Sequence, residues 1–185
     1  MRFIKDNLAN ILTIGRMALL PLIIGLFYLE SAWGGWAMGL CFILYVIASV
    51  TDYFDGVIAR KYNQITAFGT FMDPISDKIF VATLLLLLAA FGKITGVWLL
   101  LVILIFAREF LVSGLREYLG PKNITVPVTV LAKWKTFAQM FAIGFLILSG
   151  YAPYAQEVGL TLLAAATALT LITGGQYLIK GMTHL

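Results

Sequence analysis

One cysteine, Cys41, and one histidine, His184, are the only thiol and the only imidazole in 185 residues. A single thiol excludes a disulfide framework within the chain, and one thiol and one imidazole far apart in sequence do not make a zinc site. Cys41 falls in the middle of an apolar run and reads as a small buried or lipid-facing residue. His184 stands next to the last residue and reads as tail. Charge is scarce as well. Charged residues make up 12% of the chain, against about 25% in soluble domains. That scarcity excludes an ordinary soluble globular protein. Internal repeats and low-complexity segments are also missing.

What the chain has instead is apolar length: 61% of its residues are hydrophobic. Several runs reach or approach the roughly 20 residues needed to cross a hydrocarbon core. The expected fold class is an all-α membrane protein with six transmembrane helices and a short N-terminal interfacial helix, forming one domain over residues 1–185. The spans are expected at about 11–28, 36–60, 74–91, 95–118, 128–148 and 157–179. Turn signals separate them: "ESAWGG", "KYNQITAFG", "GKITG", "GPKNITVP" and "SGYAPYA". The opening "MRFIKDNLAN" is short and amphipathic, as expected of a segment lying along the interface. The first apolar stretch lacks a small-residue cleavage site and more spans follow it, so it reads as a retained helix.

Basic residues set the orientation. Arg2, Lys5 and Arg16 fall near the start, Arg60, Lys61 and Lys78 around the second connection, and Arg108, Arg116, Lys122, Lys133 and Lys135 around the fourth. With Lys180, twelve of the thirteen Lys and Arg residues fall on one side, expected to be cytoplasmic, and Lys93 falls opposite. The expected location is therefore the bacterial inner (cytoplasmic) membrane, crossed several times. The net charge of +4 adds attraction to anionic lipid; no nucleic-acid partner is expected.

Against this background the stretch "DYFDGVIARKYNQITAFGTFMDPISD", residues 52–77, carries four aspartates. Asp52 lies sixteen residues after Trp36, or roughly 24 Å along a helix, so the cluster belongs near the cytoplasmic end. Asp52 and Asp55 are spaced i,i+3, and Asp73 and Asp77 i,i+4; each pair shares a helical face. If the second and third helices pack as a hairpin, four carboxylates converge. Aspartate at a helix centre costs roughly 2.5–3.5 kcal/mol on insertion scales, and four together repel unless a cation neutralises them. Pairing with Arg60, Lys61 and Lys78 at helix ends is the simpler account of any one aspartate. Four at paired spacings favour a hard divalent cation, Mg²⁺, Mn²⁺ or Ca²⁺. Four carboxylates suffice for two such ions, and a pair of ions suits displacement at phosphorus. Gly56 and Gly69 allow close backbone or ligand approach, with helix–helix packing as the competing role. Arg60, one turn beyond Gly56, is placed to contact a phosphate.

The motif Asp52-x-x-Asp55-Gly56-x-x-Ala59-Arg60, eight further residues, then Gly69-x-x-x-Asp73-x-x-x-Asp77 resembles the signature of the CDP-alcohol phosphotransferases. The resemblance covers nearly the whole chain. It implies the fold of that family, with Asp52, Asp55, Asp73 and Asp77 binding two divalent cations, Mg²⁺ or Mn²⁺. It implies that Gly56, Ala59 and Arg60 face the CDP moiety of CDP-diacylglycerol, with Thr66 and Gly69 close by. It also implies that Asp77 is the general base for the acceptor hydroxyl, and that the protein is a homodimer. The early "NILTIGR" resembles the first helix of family members, where Asn10, Thr13 and Arg16 would lie near the nucleotide.

A second polar group, Arg108, Arg116, Lys133 and Lys135, is expected on the same side as the aspartates. Positive-inside topology explains such residues in part, yet Arg108 and Glu109 interrupt a long apolar run, where ionisable residues are functional candidates. A basic pocket suits an acceptor that carries a phosphate. "ARE…S..LRE", "K.KT" and "FMDPISDK" resemble the family members whose acceptor is sn-glycerol 3-phosphate. Inositol-phosphate, serine and cardiolipin-forming members are alternatives within the family. An intramembrane prenyltransferase and a non-catalytic divalent-cation carrier are alternatives outside it. The first should have more helices, and the second acidic groups at mid-depth in other spans.

Overall fold

The structure is a computed structural model, and it describes residues 8–61, 67–120 and 130–182, with side chains over 12–52, 69, 71–120 and 131–179. Six helices lie among the described residues: α1 Leu8–Trp33, α2 Gly35–Lys61, α3 Ala67–Ala90, α4 Trp98–Leu119, α5 Val130–Ile147 and α6 Ala155–Met182. The all-helical architecture and the count of six agree with the lengths of the apolar runs. Among the described residues, four segments are long and apolar enough to cross a membrane: Leu12–Trp33, Gly35–Asp52, Trp98–Leu119 and Ala155–Ile179. The protein is therefore a multi-pass membrane protein. In α3 and α5 the apolar sequence is interrupted, by Asp73, Asp77 and Lys78 in one and by Lys133 and Lys135 in the other.

Large apolar side chains stay exposed on these helices, among them Leu22, Ile43, Leu86, Leu100, Ile103 and Ile172. Helices apolar on their outward faces as well as their inward ones are what a lipid solvent requires, because nothing there rewards a polar exterior. The inward faces bury Ile23, Phe27, Met38, Leu84 and Leu88, and further along Ile105, Ile143, Leu146 and Leu163.

The chain divides into two compact units, Met1–Leu87 and Leu88–Leu185. In the first, α1 packs along α2. Sequence signals place a loop over "ESAWGG", yet the connection is one residue. Gly34 takes φ 55° and donates its N–H to the Glu30 carbonyl at 2.8 Å. That left-handed residue closes α1 as glycine readily can, and α2 starts at once. In the second unit α6 packs against both α5 and α4.

Two further boundaries differ from expectation. The third helix begins at Ala67, seven residues before Pro74, and keeps that proline inside it. Proline favours a first turn, which is why the sequence points to Pro74 as the start. In a membrane helix the lost N–H is tolerated where neighbours re-satisfy the backbone, and Pro21 inside α1 is a second case. The first helix already includes Leu8–Asn10, residues expected in a separate interfacial segment; residues 1–7 of that segment lie outside the described residues.

Lys93, the basic residue expected on the far side, is buried rather than solvated. Its Nζ donates to the Ser149 carbonyl at 3.2 Å and lies 5.4 Å from the Tyr151 ring centre. Gln156 donates to the Lys93 carbonyl at 2.8 Å. One residue thus ties the α3–α4 connection to the α5–α6 connection within the second unit.

Candidate functional site

The continuous helix from Ala67 sets Gly69, Asp73 and Asp77 at intervals of four on one face of α3. Facing them, α1 presents Thr13 and Arg16, three residues apart and both buried. Thr13 Oγ1 donates to Asp73 Oδ1 at 2.9 Å. Arg16 Nη1 pairs with Oδ1 of Asp77 and with Oδ1 of Asp52 on α2. Ser76 Oγ donates to the Asp73 carbonyl at 3.1 Å. Three aspartates of the motif are therefore tied to one face of the first helix. The resemblance implies a place near the nucleotide for Thr13 and Arg16, and in the structure both also bond carboxylates of the motif.

Two charge-assisted bonds of about 2.8 Å to one nitrogen hold the two acceptor oxygens within roughly 6 Å of each other. A buried guanidinium supplies the positive charge those carboxylates need. Among the described residues, no three acidic, histidine or cysteine side chains lie close enough to share one metal ion. The fourth expected ligand, Asp55, has its side chain outside the described residues, as do Asn10, Gly56, Ala59 and Arg60; Thr66 lies outside them altogether. What is described fits a hard cation by donor chemistry: oxygens only, held on helices, with Asp52 and Asp77 partly open to solvent at 32% and 52% exposure.

The second polar cluster belongs to the second unit. Glu109 Oε1 accepts from Lys135 Nζ on α5 and from Arg108 Nη1 at 3.1 Å. Arg108 Nη2 donates to Thr173 Oγ1 on α6 at 3.0 Å. Arg116, two turns along α4, donates to the Tyr177 hydroxyl at 3.0 Å. The Tyr177 ring lies beside both guanidiniums, 5.8 Å from Arg108 Cζ and 5.0 Å from Arg116 Cζ. Arg108 and Arg116 thus flank one ring, and Arg108 and Lys135 share one carboxylate, two cations to one anion.

Of the expected basic residues, Lys133 stands apart. Two positions before Lys135 it points about 200° round the helix, and it is exposed where Lys135 is buried. The sequence reading did not pick out Thr173, Gly174 or Tyr177. Their available signal was slight: a threonine and a tyrosine four apart beside a Gly–Gly pair, in an otherwise apolar span.

Comparison with known proteins gives these clusters a setting. A family described as CDP-alcohol phosphatidyltransferase matches residues 6–172. A protein of Rickettsia bellii (strain RML369-C) named CDP-diacylglycerol--glycerol-3-phosphate 3-phosphatidyltransferase is 48% identical, over 94% of each chain. Proteins of the same name are 38% identical in Pectobacterium atrosepticum, over 93% of each chain, and 36% identical in Cereibacter sphaeroides, over 97% of each. With the aspartate motif on facing helices and a match across most of its length, the chain belongs to the CDP-alcohol phosphatidyltransferase family.

Proposed function

We propose that this protein transfers the phosphatidyl group of CDP-diacylglycerol to sn-glycerol 3-phosphate, giving phosphatidylglycerophosphate and CMP in phospholipid biosynthesis. Relatives of that name at 36–48% identity support the reaction. The observation that carries the choice of acceptor is the charge imbalance in the second unit. Glu109 is the one carboxylate paired in this cluster, with Arg108 and Lys135, while the third cation, Arg116, bonds the Tyr177 hydroxyl. Excess positive charge at membrane depth is unfavourable alone and is relieved by a phosphate dianion, which serine does not carry.

Asp52, Asp55, Asp73 and Asp77 would hold one or two divalent cations, Mg²⁺ or Mn²⁺. Bound there, such ions supply charge neutralisation at the pyrophosphate and at the leaving group. The protein's own residues do the rest. Thr13 and Arg16 hold Asp73, Asp52 and Asp77 in register. Gly56, Ala59, Arg60, Thr66 and Gly69, with Asn10, would receive the CDP moiety. Asp77 accepts the proton of the acceptor hydroxyl, whose oxygen forms a bond to the β-phosphorus. The bond from that phosphorus to the bridging oxygen breaks, and CMP leaves with the electron pair. Proximity provides much of the rate, because an aspartate is a weak base by itself.

A single domain, a homodimer and an active site facing the cytoplasm belong to the same proposal, the last because of the one-sided basic residues. The test is CMP release by purified protein in detergent with CDP-diacylglycerol and Mg²⁺ across a panel of alcohols. Release with glycerol 3-phosphate alone is expected. Release with another alcohol overturns the acceptor, and no release with any acceptor by folded protein overturns the transferase.

A further inference from the structure

Arg108 sits on α4, but α6 supplies much of its surroundings. Its Nη2 donates to Thr173 Oγ1 at 3.0 Å. The Thr173 hydroxyl directs its own proton back along α6, to the carbonyls of Leu169 at 2.7 Å and Thr170 at 3.1 Å. Only lone pairs then remain for Arg108, so Thr173 acts on it as an acceptor alone. At the next position, a Cβ on Gly174 would stand 2.7 Å from Arg108 Cγ and 3.2 Å from Nε. The arginine stem therefore occupies room that exists because residue 174 has no side chain. The Arg108 side chain is 10% exposed, and its Nε has no hydrogen-bond partner among the described residues. A guanidinium so buried, with an N–H unanswered, keeps capacity for an anionic oxygen. The family match ends at residue 172, just before both α6 residues.

We propose that Thr173 and Gly174 are positioning residues for acceptor recognition. Gly174 admits the stem of Arg108 against α6, and Thr173 fixes the direction of its guanidinium, so that the last helix sets affinity for the phosphate of the acceptor without touching it. This rests on Arg108 as a ligand of that phosphate, as proposed above, and adds the surface that aims it.

The test uses the full chain in detergent, with CDP-diacylglycerol and Mg²⁺, reading CMP release as glycerol 3-phosphate is varied. Thr173→Val keeps the shape and removes the acceptor oxygen, Thr173→Ser keeps the oxygen, and Gly174→Ala fills the notch. Thr173→Val is expected to raise KM for glycerol 3-phosphate about tenfold, the scale of one charge-assisted hydrogen bond. Its KM for CDP-diacylglycerol stays within about twofold, and Thr173→Ser restores the acceptor KM. Gly174→Ala raises the acceptor KM at least as far; should that variant fail to fold, the threonine pair decides alone. An unchanged acceptor KM in Thr173→Val, an equal rise in both KM values, or no rescue by serine overturns the positioning role. Wild-type protein reads the underlying function separately: no turnover with glycerol 3-phosphate removes both proposals, whereas normal wild-type turnover with unaltered variants removes only this one.

Discussion

Arg16 on the first helix and Asp77 on the third, 61 residues apart, are joined by a charged hydrogen bond. The same guanidinium nitrogen pairs with Asp52, so one buried arginine neutralises carboxylates from two helices.

Removing that arginine takes a shared positive charge away from two carboxylates. Arg16→Ala should lower stability by about 2 kcal/mol, less than a fully buried pair because both carboxylates are partly exposed. Millimolar Mg²⁺ should restore more of the melting temperature of this variant than of the wild type, since a divalent cation replaces the missing charge. Thermal unfolding in detergent with and without EDTA checks it; a Mg²⁺ increment no larger than the wild type's would count against a cation site at these aspartates.

Asp77→Asn removes the proposed proton acceptor and keeps the size of the side chain. CMP release should fall by about 10²–10⁴-fold, the usual contribution of a positioned base. Nucleotide binding, followed by titration with CDP, should largely persist. Normal turnover would remove Asp77 from that role.

Glu109→Gln leaves Arg108 and buried Lys135 beside a neutral amide. Breaking a buried charge pair in this way costs about 3 kcal/mol, so the melting temperature should drop clearly. Glu109→Asp, which retains the charge, should recover part of the loss. Equal melting of Glu109→Gln and wild type would show that another group compensates the cations.

Lys93→Met should destabilise the second unit by about 1–2 kcal/mol through the lost bond to the Ser149 carbonyl and the lost contact with Tyr151. Proteolysis at the 91–97 connection should speed up, while KM for either substrate stays unchanged. An unchanged proteolysis rate would mean that the Gln156 bond to the Lys93 carbonyl holds the connection alone.

Much of this was legible in the order of residues. The helices and their membrane character follow from apolar run length, because a helix must be long enough to satisfy its backbone across the hydrocarbon core. The aspartate motif is legible because i,i+3 and i,i+4 spacings determine a shared helical face without any knowledge of neighbours. The start of α3 was misjudged from Pro74, since a proline's local preference for a first turn yields to packing that holds the helix together around it.

Partners across helices were another matter. Nothing in the spacing of "NILTIGR" says that Thr13 and Arg16 reach the aspartates, because which helix faces which is settled by packing. Lys133 and Lys135 look alike in sequence and differ only in which side of α5 meets Glu109. Thr173 and Gly174 look like ordinary residues of an apolar span until α4 lays Arg108 against them. The sequence by itself determined the helices, the membrane and the helical faces that the aspartates share, all of which depend on local spacing and composition. Only the tertiary structure decided which charges meet, because a polar group in an apolar helix acquires its role from the partner that packing brings to it.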